Sequence, residues 1–294
     1  MIHCSLNPFI SLFDCKTGSY KSIYNLSQGE DEEDDDNYYY SSLRFFSCKF
    51  SGDESKIIAS SGVKRNKKSY IKVNNFIYNN FYISIFTAHT NDINTICFID
   101  KSKSNVFVSG SDDCLLKIWD TRALGSSGKQ SGVLIGHVGG ITSVDSRQDN
   151  YYIASNSKDQ SLKLWDLRKS EQDYESKPRK NYNYDYRYGP LNQQEVLEIS
   201  KLTQQQNYDN SIHTFRGHSV SRTLMRCHFS PQNMTEGRYL YTASSCGKLY
   251  MYDILNYKDF ACVLNDNKQT IIRDAVWHPN KMEIITNSEE ENLY

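Results

Sequence analysis

A chain of 294 residues has room for one large or two ordinary domains. Its 34 Lys and Arg stand against 35 Asp and Glu, a net charge of −1, which argues against the broad basic field that nucleic-acid binding draws on. Eight cysteines scattered singly, with no Cys-x-x-Cys pair and no His pair spaced to match, exclude a zinc site of ordinary spacing, and no apolar run approaches the ~20 residues of a membrane span.

With 22 Tyr, 13 Phe and only 5 Pro, the composition suits many short strands and predicts an all-β protein. The opening residues lack the charged and apolar regions of a signal peptide, so reduced cysteines and a cytoplasmic or nuclear location are expected. Residues 8–26 read as two strands. An acidic loop follows over 27–40, where Glu30 to Asp36 is an unbroken run of acids that repels itself and stays solvated. Residues 43–87 then read as three strands, through Phe45 to Ser51, Ile57 to Ser60 and Tyr70 to Val73, with Asn74 and Asn75 closing the third.

Next comes a repeat. Ala88-His89 opens a segment that closes on Lys117-Ile118-Trp119-Asp120, and Gly136-His137 opens one that closes on Lys163-Leu164-Trp165-Asp166. The two histidines are 48 residues apart and the two tryptophans 46, near the ~40–45 of a four-stranded propeller blade. An insertion over 169–211, rich in charge, Gln and Asn-Tyr pairs, reads as a partly ordered protein-contact loop; its interleaved rings and cations also suit single-stranded nucleic acid, but Glu171, Asp173, Glu175 and Asp185 dilute the charge. A third copy runs from Gly217-His218 to Tyr250-Met251-Tyr252-Asp253, and residues 265–294 supply two further strands and stop inside a third.

These phrases are similar to the WD-repeat family. In that family a His before the first strand, a Ser or Thr on the second, an Asp in the next turn and a Trp on the third form a buried hydrogen-bonded chain. The matching positions here are His89, Ser109, Asp113 and Trp119, then His137, Ser155, Asp159 and Trp165, with the Ser-to-Asp and Asp-to-Trp gaps repeated in both. Buried polar groups of this kind need partners, because each one left unsatisfied costs ~1–3 kcal/mol. A Ser–His–Asp set also invites a hydrolase reading, but its recurrence beside a Trp, without nucleophile-elbow glycines, favours a structural lock and no catalysis. The third copy keeps His218 and Thr242 but has Cys246 and Tyr252 at the Asp and Trp positions, so that blade is expected to be held mainly by apolar packing.

The resemblance implies an all-β WD-repeat β-propeller, residues 1–294 forming one domain of four complete blades with partial blades at both ends. Since an open radial stack exposes sheet edges, the chain reads as a piece of a longer propeller rather than a smaller closed ring, and the resemblance implies that the full ring has seven blades.

Two blades end on the same four-residue phrase, Trp119-Asp120-Thr121-Arg122 and Trp165-Asp166-Leu167-Arg168. Paired Trp-Asp-x-Arg motifs resemble the substrate receptors of cullin-4 RING ubiquitin ligases, which use them to dock the ligase's adaptor subunit. Asp120, Arg122, Asp166 and Arg168 are accordingly the expected adaptor-binding residues, their guanidinium forks suited to a partner's carboxylates or carbonyls. An internal Arg–Asp pair is the competing reading of the same residues, and the two roles can coexist, with Asp120 and Asp166 orienting the neighbouring arginines. Further phrases, among them His89 to Asn94, Ser155 to Asp166 and Thr223 to Pro231, resemble the branch of WD repeat-containing protein twenty-three, plant homologues included. That resemblance implies partners in the adaptor and cullin-4 assembly and in protein substrates, with no cofactor and no membrane or nucleic-acid partner. A generic scaffold in another complex is the alternative. Arg147, Arg222, Arg226 and Arg273 are candidates for a substrate face, whose specificity no general code gives.

Overall fold

The computed structural model describes residues 2–4, 9–25, 44–62, 69–75, 84–100, 102, 105–124, 128–177, 181–182, 191–206, 208–265 and 270–288. The acidic run and Asp185 to Tyr188 lie outside these residues. The described strands fall into six sheets in chain order, of three, four, four, four, four and two strands, and every pair whose register is resolved is antiparallel. Four full blade sheets with a partial one at each end match the sequence reading. The N-terminal sheet has one strand more than expected, because Ile2–Cys4 pairs with Phe9–Phe13. Contacts divide the chain into two compact units, Met1–Asp113 with Ile118–Ser131, and Cys114–Lys117 with Gly132–Tyr294.

The first unit begins with β1 (Ile2–Cys4), β2 (Phe9–Phe13) and β3 (Tyr20–Asn25). The next sheet is β4 (Phe45–Phe50), β5 (Lys56–Ser61), β6 (Ser69–Asn75) and β7 (Ser84–His89), and it is followed by β8 (Ile93–Phe98), β9 (Val106–Ser111) and β10 (Leu116–Asp120). β-Branched and aromatic side chains fill both faces of these pleats, so Ile58, Ile71, Phe86, Ile96, Phe107 and Trp119 share one buried cluster. Every residue of β8 is buried, the signature of a strand covered on both sides rather than one with a wet face.

The second unit holds β11 (Gly132–Leu134), the sheet β12 (Ile141–Ser146), β13 (Tyr152–Ser157), β14 (Ser161–Asp166) and β15 (Ser211–Phe215), the sheet β16 (Cys227–Phe229), β17 (Tyr239–Ala243), β18 (Lys248–Asp253) and β19 (Lys258–Asn265), and the pair β20 (Ile272–Trp277) and β21 (Ile284–Ser288). Between the two full sheets Ala154, Leu164, Phe215, Leu240, Tyr252 and Ile254 form one core. In β14 the buried set includes Lys163, which alternation alone would leave in water. Its ammonium instead ends 2.6 Å from the Asp209 carboxylate and 2.7 Å from the Thr214 hydroxyl. A buried cation is tolerable because it is paired and hydrogen-bonded.

The insertion contains a helix, α1 (Gln193–Gln204), where the sequence reading expected a loop. Asn192 accepts from the Glu195 backbone N–H at 2.9 Å and the Glu195 carboxylate accepts from the Asn192 N–H at 2.8 Å, a reciprocal cap that satisfies two otherwise orphaned donors. The feet of the insertion meet. Val133 exchanges backbone hydrogen bonds with Glu171, Asn210 donates from its backbone to Ile135, and the Asn210 amide reaches the Lys169 carbonyl at 3.0 Å. Gly136 leaves room for this clasp, since any side chain there would collide with the Asp209 carboxylate and the Trp165 ring. A second short helix, α2 (Gln232–Thr235), joins β16 to β17. Among the described residues no helix is long and apolar enough to cross a membrane.

Candidate functional site

Strand β9 and the turn after it bring the first predicted set together. The Trp119 indole N–H donates to Ser109 Oγ at 2.8 Å, Ser109 Oγ lies 2.7 Å from His89 Nε2, and His89 Nδ1 lies 2.8 Å from Asp113 Oδ2. An indole can only donate and a carboxylate only accept. The arrangement is therefore satisfied by a neutral imidazole carrying its proton on Nδ1 and accepting from the serine hydroxyl at Nε2. The second set repeats it: Trp165 to Ser155 at 2.7 Å, Ser155 to His137 Nε2 at 2.7 Å, and His137 Nδ1 to Asp159 at 2.9 Å. Asp159 also accepts from the Val138 N–H at 3.0 Å and from the Ser161 hydroxyl at 2.5 Å. Burial alone would raise this carboxyl, but the hydrogen bonds from His137 and Ser161, with the Lys163 charge behind them, hold it well below its ordinary range. Both serine oxygens are fully buried and taken up by an indole and an imidazole, so no substrate carbonyl can approach them.

In the third copy, expected to be held mainly by apolar packing, a polar lock is present as well. His218 keeps a polar lock but recruits new partners: Nε2 lies 2.8 Å from Asn156 Oδ1 of the preceding sheet, and Nδ1 lies 3.0 Å from the Tyr252 hydroxyl, which also sits 3.2 Å from the Arg216 carbonyl oxygen. Asn156 in turn donates to the Met225 carbonyl and to Thr242 at 3.3 Å each. Burial pushes His218 down to about 4, outweighing the Asp159 charge, which raises it. Thr242 bonds backbone carbonyls of Arg226 and Ala243, and Cys246 is exposed beside Ser244 and Tyr250, so neither takes the role its position suggested.

The Trp-Asp-x-Arg ends share one geometry. Arg122 donates to Asp120 through its backbone N–H at 3.0 Å, through Nε at 3.0 Å and through Nη2 at 2.6 Å. Arg168 does the same to Asp166 at 3.0, 2.8 and 2.7 Å. These hydrogen bonds hold both aspartates below their ordinary values and push both arginines up. The guanidiniums are nevertheless exposed, with side-chain accessibilities of 68% and 60%. Arg168 also lies over the Tyr151 ring at 4.7 Å. Pairing and exposure thus coexist, each aspartate orienting an arginine that stays open to solvent.

Sequence reading missed a third fork. The +2 position after Asp253 is Leu255, whose backbone N–H caps Asp253 at 3.0 Å as Arg122 and Arg168 do in their turns. The guanidinium comes instead from Arg238, with Nε at 3.2 Å and Nη2 at 2.6 Å from the carboxylate, which falls to about 2 through that hydrogen bond. The register explains it: Tyr239 pairs with Asp253 as Tyr152 pairs with Asp166, so Arg238 occupies the place held by Tyr151 one sheet earlier. Cation and apolar group have exchanged positions. Of the candidate substrate-face arginines, Arg226 pairs with Asp274 at 3.3 Å and Arg222 and Arg273 are exposed, whereas Arg147 lines a cavity with Asp166, at the fork end.

Comparison with known proteins agrees with this geometry. The model of the WD domain, G-beta repeat, matches residues 81–120 and 128–166. The chain is 34% identical over 281 residues to the LEC14B homolog of Prunus armeniaca, covering 95% of this chain and 56% of the relative. It is 41% identical over 212 residues to a DDB1- and CUL4-associated factor 11 homolog of Caenorhabditis briggsae, covering 70% of this chain and 36% of that protein. It therefore spans little more than half of the first relative and about a third of the second. A chain of the crystal structure of the mitotic checkpoint complex has the same fold, with a TM-score of 0.65 at 15% identity, over 98% of this chain and 68% of that one.

Proposed function

We propose that this chain, a WD-repeat β-propeller protein related to the DDB1- and CUL4-associated factor 11 homologues, is a non-catalytic substrate receptor that docks on DDB1 in a cullin-4 ubiquitin ligase. The observation that carries the reading is the repeated fork: in two successive repeats an aspartate clamps Nε and Nη2 of the arginine two residues on, which fixes a mostly exposed guanidinium. Holding the fork in advance removes part of the side-chain ordering that binding would otherwise have to supply. Nη1 of each arginine makes no hydrogen bond among the described residues and points the remaining donors at a partner's carboxylates or carbonyls. The locks have a different task. They fix the turns and strands from which these ends project, and their buried hydroxyls support a binding platform rather than a hydrolase. Such a role needs no cofactor and suits a nuclear or cytoplasmic protein.

Affinity purification tests this. The chain is expected to retain DDB1 and cullin-4, and the double variant Arg122→Glu/Arg168→Glu to lose both while keeping the wild-type melting temperature. Undiminished recovery of both partners by the double variant would move the protein to scaffolding in another assembly.

A further inference from the structure

Arg238 and Leu255 restore in one sheet, with their places exchanged, the cation and apolar side chain that Arg168 and Tyr151 supply in the sheet before it. Between the two strand ends lies a cavity of about 310 Å³, whose lining includes Arg147, Asp166, Lys169, Leu255 and Tyr257. Large apolar side chains are normally withdrawn from water, yet Leu255 is 63% exposed and Tyr257 48% exposed at this opening, and Tyr151, under Arg168, is 48% exposed. The charges lean one way. Arg147, Arg168 and Arg238 each hold one aspartate, Asp149, Asp166 and Asp253, and the exposed Lys169 adds a further cation. The Nε of Arg147 is buried and makes no hydrogen bond. Such an opening, with an apolar floor and lip and a cationic surround, fits a large apolar side chain carried on an acidic segment.

We propose that this cavity is the part of the DDB1 footprint contributed by the second unit, receiving a leucine- or methionine-sized side chain of the adaptor whose neighbouring carboxylates meet Arg168, Arg238 and Lys169. The inference rests on the docking reading above and adds Arg238 and Leu255 to the contact. A methionine- or leucine-sized group fills part of the cavity and leaves Leu255 and Tyr257 to close over it, which removes their exposed surface from water.

Titration calorimetry of the chain with purified DDB1 decides it. Leu255→Asp changes an exposed side chain and leaves the backbone hydrogen bond to Asp253 in place, so folding should be kept; it is expected to weaken DDB1 binding by at least about tenfold, and Leu255→Met by less than about threefold. Arg238→Glu is expected to weaken it similarly; should that variant melt early, because Asp253 loses its partner, Leu255→Asp decides alone. If Leu255→Asp binds like wild type while Arg168→Glu does not, the cavity is outside the footprint and the docking reading stands. If the wild-type chain itself shows no affinity for DDB1, the docking reading falls and the cavity proposal with it.

Discussion

The locks at His137 and at His218 sit one sheet apart in the same unit and do the same job with different chemistry. The first is built around a charge: Asp159 accepts from an imidazole, a backbone amide and a hydroxyl, and an indole closes the far end. The second has a phenol at Nδ1, where the first has a carboxylate, and an amide at Nε2, where it has a serine hydroxyl. The difference teaches that the fold demands saturation of the buried imidazole, whatever supplies it. It also predicts that the two locks respond differently to mutation and to acid.

The largest effect should come from Asp159→Ala, which strands the His137 and Ser161 donors and the Val138 amide together in a dry site. A loss of about 3–5 kcal/mol in urea unfolding is expected, and a loss under about 1 kcal/mol would mean that the charge carries no weight in the lock. Acid distinguishes the two next. His218 is held at about 4 when folded against its ordinary 6.5, so between these values the unfolded chain binds a proton that the folded chain refuses. Stability is therefore full above pH 6.5 and falls as the pH drops toward about 4, by about 3 kcal/mol at the end of the window. Asp159, displaced downward, contributes its own loss only below the ordinary carboxylate value of 3.8. Denaturation curves at a series of pH values should show that slope in wild type and a shallower one in Asn156→Asp, where a carboxylate facing His218 raises the imidazole again; equal slopes would refute the assignment. Tyr252→Phe, which removes one hydroxyl from the uncharged lock, should cost about 1–2 kcal/mol. Ser161→Ala removes one of several donors to Asp159 and should cost about 1 kcal/mol, the smallest change of the set, because the other donors remain.

Where these residues could be read in advance, the reason was periodicity. The His, Ser, Asp and Trp of the two regular repeats recur at fixed gaps because a two-residue strand period and a blade-length chain period constrain them together. The strands over 45–75 and 272–288 were visible for the same reason. Asn156 was not, since His218 reaches it across 62 residues and no spacing within one repeat points to a neighbouring sheet. Arg238 escaped because it reaches Asp253 from the opposite end of the hairpin, a relation that register sets and linear motifs do not. Lys163 broke the alternation rule because its counter-charge, Asp209, comes only at the far end of the insertion. The helix over 193–204 was legible in principle: Asn192-Gln193-Gln194-Glu195 is a capping-box signature, hidden by surroundings rich in Gln and Asn-Tyr.

The clasp between Asn210, Lys169 and Glu171 turns the insertion into a cassette. Once the feet of a segment are pinned together, the chain between them can lengthen at little thermodynamic expense, with each doubling adding only about 0.6 kcal/mol of closure entropy. Related proteins are therefore free to graft contents of very different size at this point, from a short turn to a folded module, without disturbing the sheet beneath. The same freedom marks residues 172–208 as the position at which a reporter or tag can be spliced into the chain.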